Sequence, residues 1–308
     1  MRKSIFFAAV VFGIVLITFA GYAVYENWKI SMTKIPPKAP VNLTAKPITA
    51  TTMELTWKDT SRNENGFVIY RDGIVTANLS ENAKKYVDVA LRPATNYKYQ
   101  IEAYNQAGKS DIVTALVRTL NPPIVVWIDQ IGVHDNGEDL LRDLDGGEIN
   151  VGVVITDGKT TTQIRLPNEG YYHLKDDGVT DVKFRVFSTA EVGDYLRVAA
   201  IGYENDGGSG EQLLYKVMDI ATKSYIGGPA SKLLTLSGID FTSIFSQLFG
   251  AEDDWLGTYV SAWQNDSNWG VGRYIDIESK NKDGKVGLRL WFRVECPVYD
   301  YSLEKSIK

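Results

Sequence analysis

The residues of this chain best suited to chemistry are aspartates concentrated in the polar stretches of its C-terminal half. The main stretches span residues 134–148, 167–181 and 205–254. Carboxylates that folding brings together repel one another unless water or a shared cation screens them, and Ca²⁺ prefers six to eight oxygen ligands. The pattern therefore predicts a Ca²⁺ site, with ordinary solvated turns as the alternative. The predicted metal ligands are Asp135, Asp139, Asp143, Asp145, Asp206, Asp253 and Asp254.

The side chains used in most other catalytic and metal sites are scarce. Two histidines, His134 and His173, and one cysteine, Cys296, make a zinc site hard to build and exclude an intramolecular disulfide. The sequence contains no phosphate-binding loop and no dinucleotide-binding fingerprint. We therefore predict no catalytic residues and no enzymatic activity, with a hydrolase that uses two carboxylates as the alternative.

Length and charge narrow the class of protein further. The chain has 308 residues, a net charge of −5 and 44% hydrophobic residues, which is enough apolar material for two domains with real cores. No basic stretch is interleaved with aromatic residues, so nucleic acid is excluded as a partner.

Eight strand-like stretches must position the aspartates. Alternating apolar and polar residues predict strands with one buried and one wet face, and hence an antiparallel sandwich with the acidic connections at one end. The predicted strands span residues 124–133, 149–156, 160–166, 182–188, 195–204, 255–263, 273–278 and 286–295.

This pattern resembles the calcium- and lipid-binding β-sandwich of synaptotagmin and protein kinase C type. The local match is Glu252-Asp253-Asp254-Trp255-Leu256-Gly257, which is similar to the acidic pair before one strand of that family. The resemblance implies calcium at the acidic end and a membrane contact. The stretch 205–254 departs from the family because it is much longer.

That long stretch carries two helical patterns within residues 211–250. Leu213, Leu214 and Val217 share one helical face, and Phe241, Ile244, Phe245, Leu248 and Phe249 form a second apolar stripe. The stripes either pack against the sandwich or remain exposed for a membrane or a partner.

Residues 40–120 contain a different set of strands and turns. Trp57 ends an alternating strand, Ile69-Tyr70-Arg71 precedes the turn dipeptide Asp72-Gly73, and Leu91-x-Pro-x-Thr-x-Tyr97 follows. From about residue 37 to 120, this segment resembles the fibronectin type III family. The resemblance implies a β-sandwich in which Tyr97 forms a tyrosine corner, used as a spacer or adhesion module.

The N-terminus has the composition of an export segment. Arg2 and Lys3 precede an apolar run from residue 5 to 24, and residues 26–39 form a proline-containing stalk. The run is long enough to span a bilayer as an uncleaved anchor, whereas the small residues around Gly21 also fit a cleaved signal peptide. Either alternative places the rest of the chain outside the cytoplasm.

Together these features predict an all-β protein with an N-terminal transmembrane or signal helix and two antiparallel β-sandwich domains. The boundaries are 1–25 for the export helix, 26–39 for the stalk, 40–120 for the first sandwich and 121–308 for the second, with its helical insertion. We expect a surface protein anchored in the cell membrane, or secreted, whose fibronectin-type spacer presents a domain that binds a protein or a glycan. The alternative is an extracellular carbohydrate-active enzyme or carbohydrate-binding module.

Overall fold

The computed structural model describes residues 18, 20–24, 35–136, 146–205, 215–216, 218–219, 255–280 and 285–306. The chain divides into two compact units, Met1–Leu120 and Asn121–Lys308. Both units consist of antiparallel β-sheets in the described residues, which confirms the all-β prediction.

The first unit is a sandwich of a three-stranded and a five-stranded sheet. In the smaller sheet β2 lies between β1 and β5, and in the larger one β3 and β6 are central, with β4, β7 and β8 as their neighbours. The strands are β1 (Val41–Thr49), β2 (Thr52–Lys58), β3 (Gly66–Arg71), β4 (Ile74–Ser80), β5 (Lys85–Asp88), β6 (Asn96–Asn105), β7 (Gly108–Lys109) and β8 (Val113–Arg118).

Period-two patterning explains the core of this unit. On β2, Met53, Leu55 and Trp57 are buried while the residues between them are partly exposed, so one face of the strand packs inward. Phe67 of β3 and Tyr99 of β6 meet them from the opposite sheet. Trp57 lies 5.6 Å from Phe67 between ring centres.

A tyrosine hydrogen bond and a packed part of the predicted stalk complete the first unit. The Tyr97 hydroxyl accepts a 2.9 Å hydrogen bond from the backbone N–H of Arg92, which confirms the predicted tyrosine corner. Part of the predicted stalk packs onto the unit, because the Ile35 carbonyl accepts hydrogen bonds from the side-chain amides of Asn63 (3.0 Å) and Asn105 (2.8 Å). Pro37 and Pro40 are buried as well.

Among its described residues, the second unit contains all eight predicted strands and one more. One sheet has the order β13-β9-β17-β16; the other has the order β11-β10-β14-β15, with β12 also paired to β10. The additional strand, β12, has only three residues, too few for a period to show. The strands are β9 (Ile124–Val133), β10 (Gly147–Thr156), β11 (Thr161–Leu166), β12 (Tyr172–Leu174), β13 (Val179–Thr189), β14 (Tyr195–Glu204), β15 (Trp255–Gln264), β16 (Gly272–Lys280) and β17 (Val286–Glu295).

The two sheets of this unit differ in how their outer faces are covered. On β17 the buried residues Leu288, Leu290, Phe292 and Val294 alternate with partly exposed ones, as predicted. On β10 and β14 nearly every residue is buried, so the expected wet face is absent from these two strands. Their apolar residues run almost continuously, which is typical of strands covered on both sides.

The predicted helices lie largely outside the described residues. Residues 18 and 20–24 are helical, and no helix in the described part of the chain is long and apolar enough to cross a membrane. Within the predicted insertion 211–250, residues 215–216 and 218–219 are helical and Met218 is fully buried. The anchor and the two apolar stripes therefore stay predictions.

Candidate functional site

The acidic end predicted from chain direction does bring separate connections together. The Asp176 carboxylate accepts a 2.9 Å hydrogen bond from the backbone N–H of Asn136, and Asp177 Oδ1 lies 2.5 Å from His134 Nδ1. Lys285, in the connection before β17, lies 3.4 Å from Asp135. Three connections thus meet because consecutive strands run in opposite directions.

The carboxylates described at this end contact basic or N–H groups rather than one another. Of the seven predicted calcium ligands, only Asp135 belongs to the described residues, and its carboxylate faces Lys285. No group of three or more His, Cys, Asp or Glu side chains in the described ranges could hold a metal ion. The other six predicted ligands, Asp139, Asp143, Asp145, Asp206, Asp253 and Asp254, lie outside those ranges, so the calcium site stays a prediction.

A second candidate site, which sequence reasoning missed, is the outer surface of the sheet β13-β9-β17-β16. Pairing of β9 with β17 sets Trp127 opposite Arg293 and Gln130 opposite Trp291. Six partly exposed side chains on these two strands form what we call the tryptophan face: Trp127, Asp129, Arg289, Trp291, Arg293 and Glu295.

Hydrogen bonds hold the charged groups of the tryptophan face in place. Arg293 donates from Nε to Asp129 at 3.0 Å and from Nη1 to Glu295 at 2.5 Å. Glu295 also accepts a 3.0 Å hydrogen bond from the indole N–H of Trp127. On the neighbouring strand pair, Arg289 donates two hydrogen bonds, of 2.7 and 2.8 Å, to Asp276.

These contacts stack cations against indole rings. The guanidinium carbon of Arg293 lies 4.8 Å from the ring centre of Trp127, and that of Arg289 lies 5.1 Å from Trp291, both within cation–π range. Hydrogen bonding from Arg289 lowers the pKa of Asp276, so that carboxylate is ionised at neutral pH. The face therefore carries flat groups beside fixed hydrogen-bond donors and acceptors.

An open cleft of about 890 Å³ adjoins the tryptophan face. Its walls come from the start of β16, the end of β17, the turn at 267–268 and the C-terminal segment 296–302. Polar groups that line it include Asn268, Arg273, Arg293, Glu295 and Asp300. A cavity of this size is within the range of small-ligand sites.

The turn that forms one wall of the cleft has an unusual backbone. Asn268 and Trp269 both have φ of 51°, in the left-handed region. Asparagine adopts this region readily, whereas it costs a bulky residue such as Trp269 about 1–2 kcal/mol. Burial of Trp269, 1% exposed, and its 3.0 Å hydrogen bond from Nε1 to the Gly193 carbonyl hold the turn in this conformation. Strain of this kind concentrates at binding sites.

One sequence signal pointed towards this site. The alternation Leu288-Arg-Leu290-Trp-Phe292-Arg-Val294 placed arginines and a tryptophan on one side of β17. The alternation of apolar and polar residues shows which side of its own strand a residue faces, but not which strand is the neighbour. Trp127 lies more than 160 residues before β17, so this pattern does not predict that it packs beside Arg293.

In the first unit, a smaller concave surface surrounds the loop at residues 105–109. Lys109 and the Tyr70 hydroxyl both donate hydrogen bonds to the buried carboxylate of Glu102. Hydrogen bonding by Glu102 and Tyr70 raises the pKa of Lys109, so its ammonium stays charged. The cluster ties the loop to β6.

The chain is similar over part of its length to a curated bacterial chitinase. The sequence shares 27% identity over 158 residues with Chitinase Chi52 of Paenibacillus xylanexedens, which is 50% of this chain and 24% of that protein. The chain therefore spans about a quarter of the length of this curated relative.

Two solved structures each match 28% of this chain. The crystal structure of FN3tt shares 26% identity, covers 28% of this chain and 96% of that one, and has a TM-score of 0.25. The spore cortex lytic enzyme SleM of Clostridium perfringens shares 22% identity over 28% of this chain and 29% of that one, with a TM-score of 0.26.

The family comparison agrees with the sandwich, the buried Trp57 and the tyrosine corner. The sequence model of the fibronectin type III domain matches residues 38–116. Residues 38–116 of this chain are therefore a fibronectin type III domain.

Proposed function

We propose that this chain is an extracytoplasmic surface protein that binds carbohydrate through the tryptophan face of its second sandwich. The fibronectin type III domain serves as a spacer between the N-terminal segment and that sandwich. One observation carries the proposal: Trp127 and Trp291 lie partly exposed on one sheet surface, among arginines and carboxylates already fixed in position.

The chemistry of a sugar ring matches this surface. A pyranose has an apolar face of C–H groups, which packs against flat aromatic rings, and a rim of hydroxyls, each of which can donate and accept hydrogen bonds. Trp127 and Trp291 offer the flat rings. Asp129 and Glu295 accept hydrogen bonds from hydroxyls, and the remaining guanidinium N–H groups of Arg293 donate them.

The site is also arranged before any ligand binds. Arg293 is held by two carboxylates and Arg289 makes two hydrogen bonds to Asp276. Long side chains that are already ordered lose less conformational entropy on binding than mobile ones. The face therefore resembles a preformed recognition surface more than an ordinary solvated sheet.

The chitinase relative supports the choice of ligand class. Its matched stretch of 158 residues is about twice as long as the fibronectin type III match, so the similarity extends beyond residues 38–116. Chitin is accordingly the first polysaccharide to test. Binding alone is proposed, because no pair of carboxylates on the tryptophan face stands apart from an arginine partner.

A depletion assay tests the proposal directly. The purified chain is mixed with insoluble chitin or cellulose, and the protein left in solution is measured. We expect Trp127→Ala and Trp291→Ala each to weaken binding to the polysaccharide at least tenfold, whereas Trp291→Tyr, which keeps a flat ring, retains most of it.

Two controls make the result interpretable. Leu116→Ala removes an apolar side chain that is 78% exposed in the fibronectin type III domain and should not change binding. Melting curves establish that each variant is folded. A folded Trp127→Ala, Trp291→Ala double variant that binds like the unaltered chain would contradict the proposal.

Localisation rests on the N-terminal sequence. We propose that the apolar run at residues 5–24 exports the chain and either stays as a membrane anchor or is cleaved near Gly21. Protease added to intact cells should then digest both sandwiches. Sequencing of the mature N-terminus separates the anchored form from the secreted one, and full protection from protease would contradict export.

A further inference from the structure

We propose that the cleft beside the tryptophan face is a second subsite, which binds a carboxylate group of a glycan through Arg273. This inference rests on the proposed function, because it names the kind of sugar that the site selects. The observations that support it are the charges of the cleft, its rigid walls and its position along the same sheet.

The two arginines in the cleft differ in their partners. Arg293 is already committed to Asp129 and Glu295, at 3.0 and 2.5 Å. Arg273 is exposed on β16 directly opposite Arg293, and its side chain forms no ion pair or hydrogen bond with any residue in the described part of the chain. A guanidinium with unused N–H groups is the side chain best matched to a carboxylate, which it can bind through two parallel hydrogen bonds.

Negative charge within the cleft limits which anion fits. Hydrogen bonds from the Ser302 hydroxyl and backbone N–H, at 2.6 and 2.9 Å, fix the carboxylate of Asp300 and lower its pKa, so it is ionised. Glu295 contributes a second carboxylate to the lining. A singly charged carboxylate meets less repulsion here than a doubly charged phosphate monoester.

The walls give the site a fixed shape. The buried indole of Trp269 anchors the turn that carries Asn268, and the Tyr274 hydroxyl donates a 2.8 Å hydrogen bond to the Gly270 carbonyl in the same turn. Across the cleft, Tyr299 packs edge-on against the buried ring of Tyr301, with 4.9 Å between ring centres. A sugar held by its carboxylate at Arg273 would therefore lie between an amide wall and an aromatic wall.

The position of the cleft couples it to the tryptophan face. Arg293 and Glu295 belong to both surfaces, so a glycan that crosses Trp127 continues into the cleft. The two sites together distinguish a neutral polymer, which uses only the tryptophan face, from an acidic polymer, which uses both.

A matched pair of glycans tests the inference. The first is a tetrasaccharide of alternating N-acetylglucosamine and N-acetylmuramic acid, and the second is the N-acetylglucosamine tetramer, which lacks the lactyl carboxylates. We expect calorimetry with the full chain to show about tenfold tighter binding of the carboxylated glycan, with the difference shrinking as salt increases.

Substitution of Arg273 should remove that preference and nothing else. Arg273→Gln should bind both glycans equally, at the affinity that the unaltered chain has for the neutral one, and Arg273→Lys should restore only part of the preference. Arg185→Gln is the matched control, because Arg185 is an exposed arginine of β13 in the same sheet that does not line the cleft. Its preference should stay unchanged.

Four outcomes would overturn the inference, and a fifth would overturn only the proposed function. Equal binding of both glycans by the unaltered chain, or a preference that survives Arg273→Gln, overturns the Arg273 subsite but leaves the tryptophan face standing. Loss of the preference through Arg185→Gln as well would indicate diffuse charge rather than a subsite. Binding of a phosphodiester-linked glycan more tightly than the carboxylated one would also overturn it. A chain that binds only the carboxylated glycan, without any effect of Trp291→Ala, overturns the proposed face and retains the subsite.

Discussion

Replacement of Trp57 is the sharpest test of the first unit, because its side chain fills the centre of that core. Trp57 is 5% exposed and packs against Phe67, with 59° between the ring planes. Truncation of a buried aromatic to alanine costs about 3–5 kcal/mol, a large fraction of the 5–15 kcal/mol that stabilises a typical domain. Trp57→Ala should therefore leave the fibronectin type III domain marginally folded.

The indole nitrogen provides a second, more discriminating variant. Trp57 Nε1 is buried and makes no hydrogen bond with any residue that the structure describes. An unpaired buried N–H costs about 1–3 kcal/mol, and a phenylalanine at this position avoids that cost while it keeps most of the apolar contact. Trp57→Phe should consequently destabilise the domain by less than half as much as Trp57→Ala.

Hydrogen exchange measured by mass spectrometry on the full chain reads out both variants. A loss of 3 kcal/mol or more should accelerate the slowest amides of β2 and β6 by roughly 10²-fold or more, while amides of β14 in the second unit serve as the internal control. Unchanged exchange in Trp57→Ala would refute the placement of this side chain in the core. Equal acceleration in the two variants would refute the argument about the unpaired nitrogen.

Three further predictions concern buried charge, alkaline pH and calcium. Asp88→Ala removes the acceptor of the 2.7 Å hydrogen bond from the buried Tyr99 hydroxyl, and should lower the free energy of unfolding by about 1–3 kcal/mol in chemical denaturation. The same substitution should have a smaller effect in a Tyr99→Phe background, where that hydroxyl is already absent. Burial raises the pKa of Tyr274 to about 12 from an unfolded value near 10, so the folded state binds the proton more tightly. Its contribution to stability is complete below pH 10 and is lost between about pH 10 and 12, which a melting series with absorbance titration of tyrosinate would detect. If the acidic connections bind Ca²⁺, free Ca²⁺ at a hundredfold excess over Kd should stabilise the folded chain by about 2.7 kcal/mol. The double variant Asp145→Asn, Asp254→Asn should abolish this stabilisation. Equal melting temperatures in Ca²⁺ and in chelator would show that the connections are solvated turns.

Local patterns in the sequence were sufficient for the first unit. The alternation around Trp57, the turn dipeptide Asp72-Gly73 and the Leu91-to-Tyr97 motif each depend on residues a few positions apart. The hydrogen bond between Tyr97 and Arg92 is equally local, because its partners are only five positions apart in the sequence. Short-range geometry dictates such features, so sequence reasoning predicted both the sandwich and its tyrosine corner.

Expectations for the second unit succeeded for the strands and failed where burial depends on neighbouring elements. Alternation identified all eight long strands because side-chain direction along a strand is a local property. The same rule predicted a wet face on β10 and β14, which the structure buries on both sides. Whether a strand face meets solvent depends on which elements pack against it, and the alternation of residues along one strand carries no information about those elements.

The sequence by itself predicted two antiparallel β-sandwiches, a fibronectin type III domain from about residue 37 to 120, which the family match at residues 38–116 confirms, and arginines alternating with a tryptophan on β17. Only the tertiary structure placed β9 between β13 and β17, and so brought Trp127 against Arg293 and Glu295. It also formed the cleft in which Arg273 lacks a partner among the described residues. The physical reason is that strand order is decided by long-range pairing and sheet packing, whose energies arise only when residues distant in sequence come into contact.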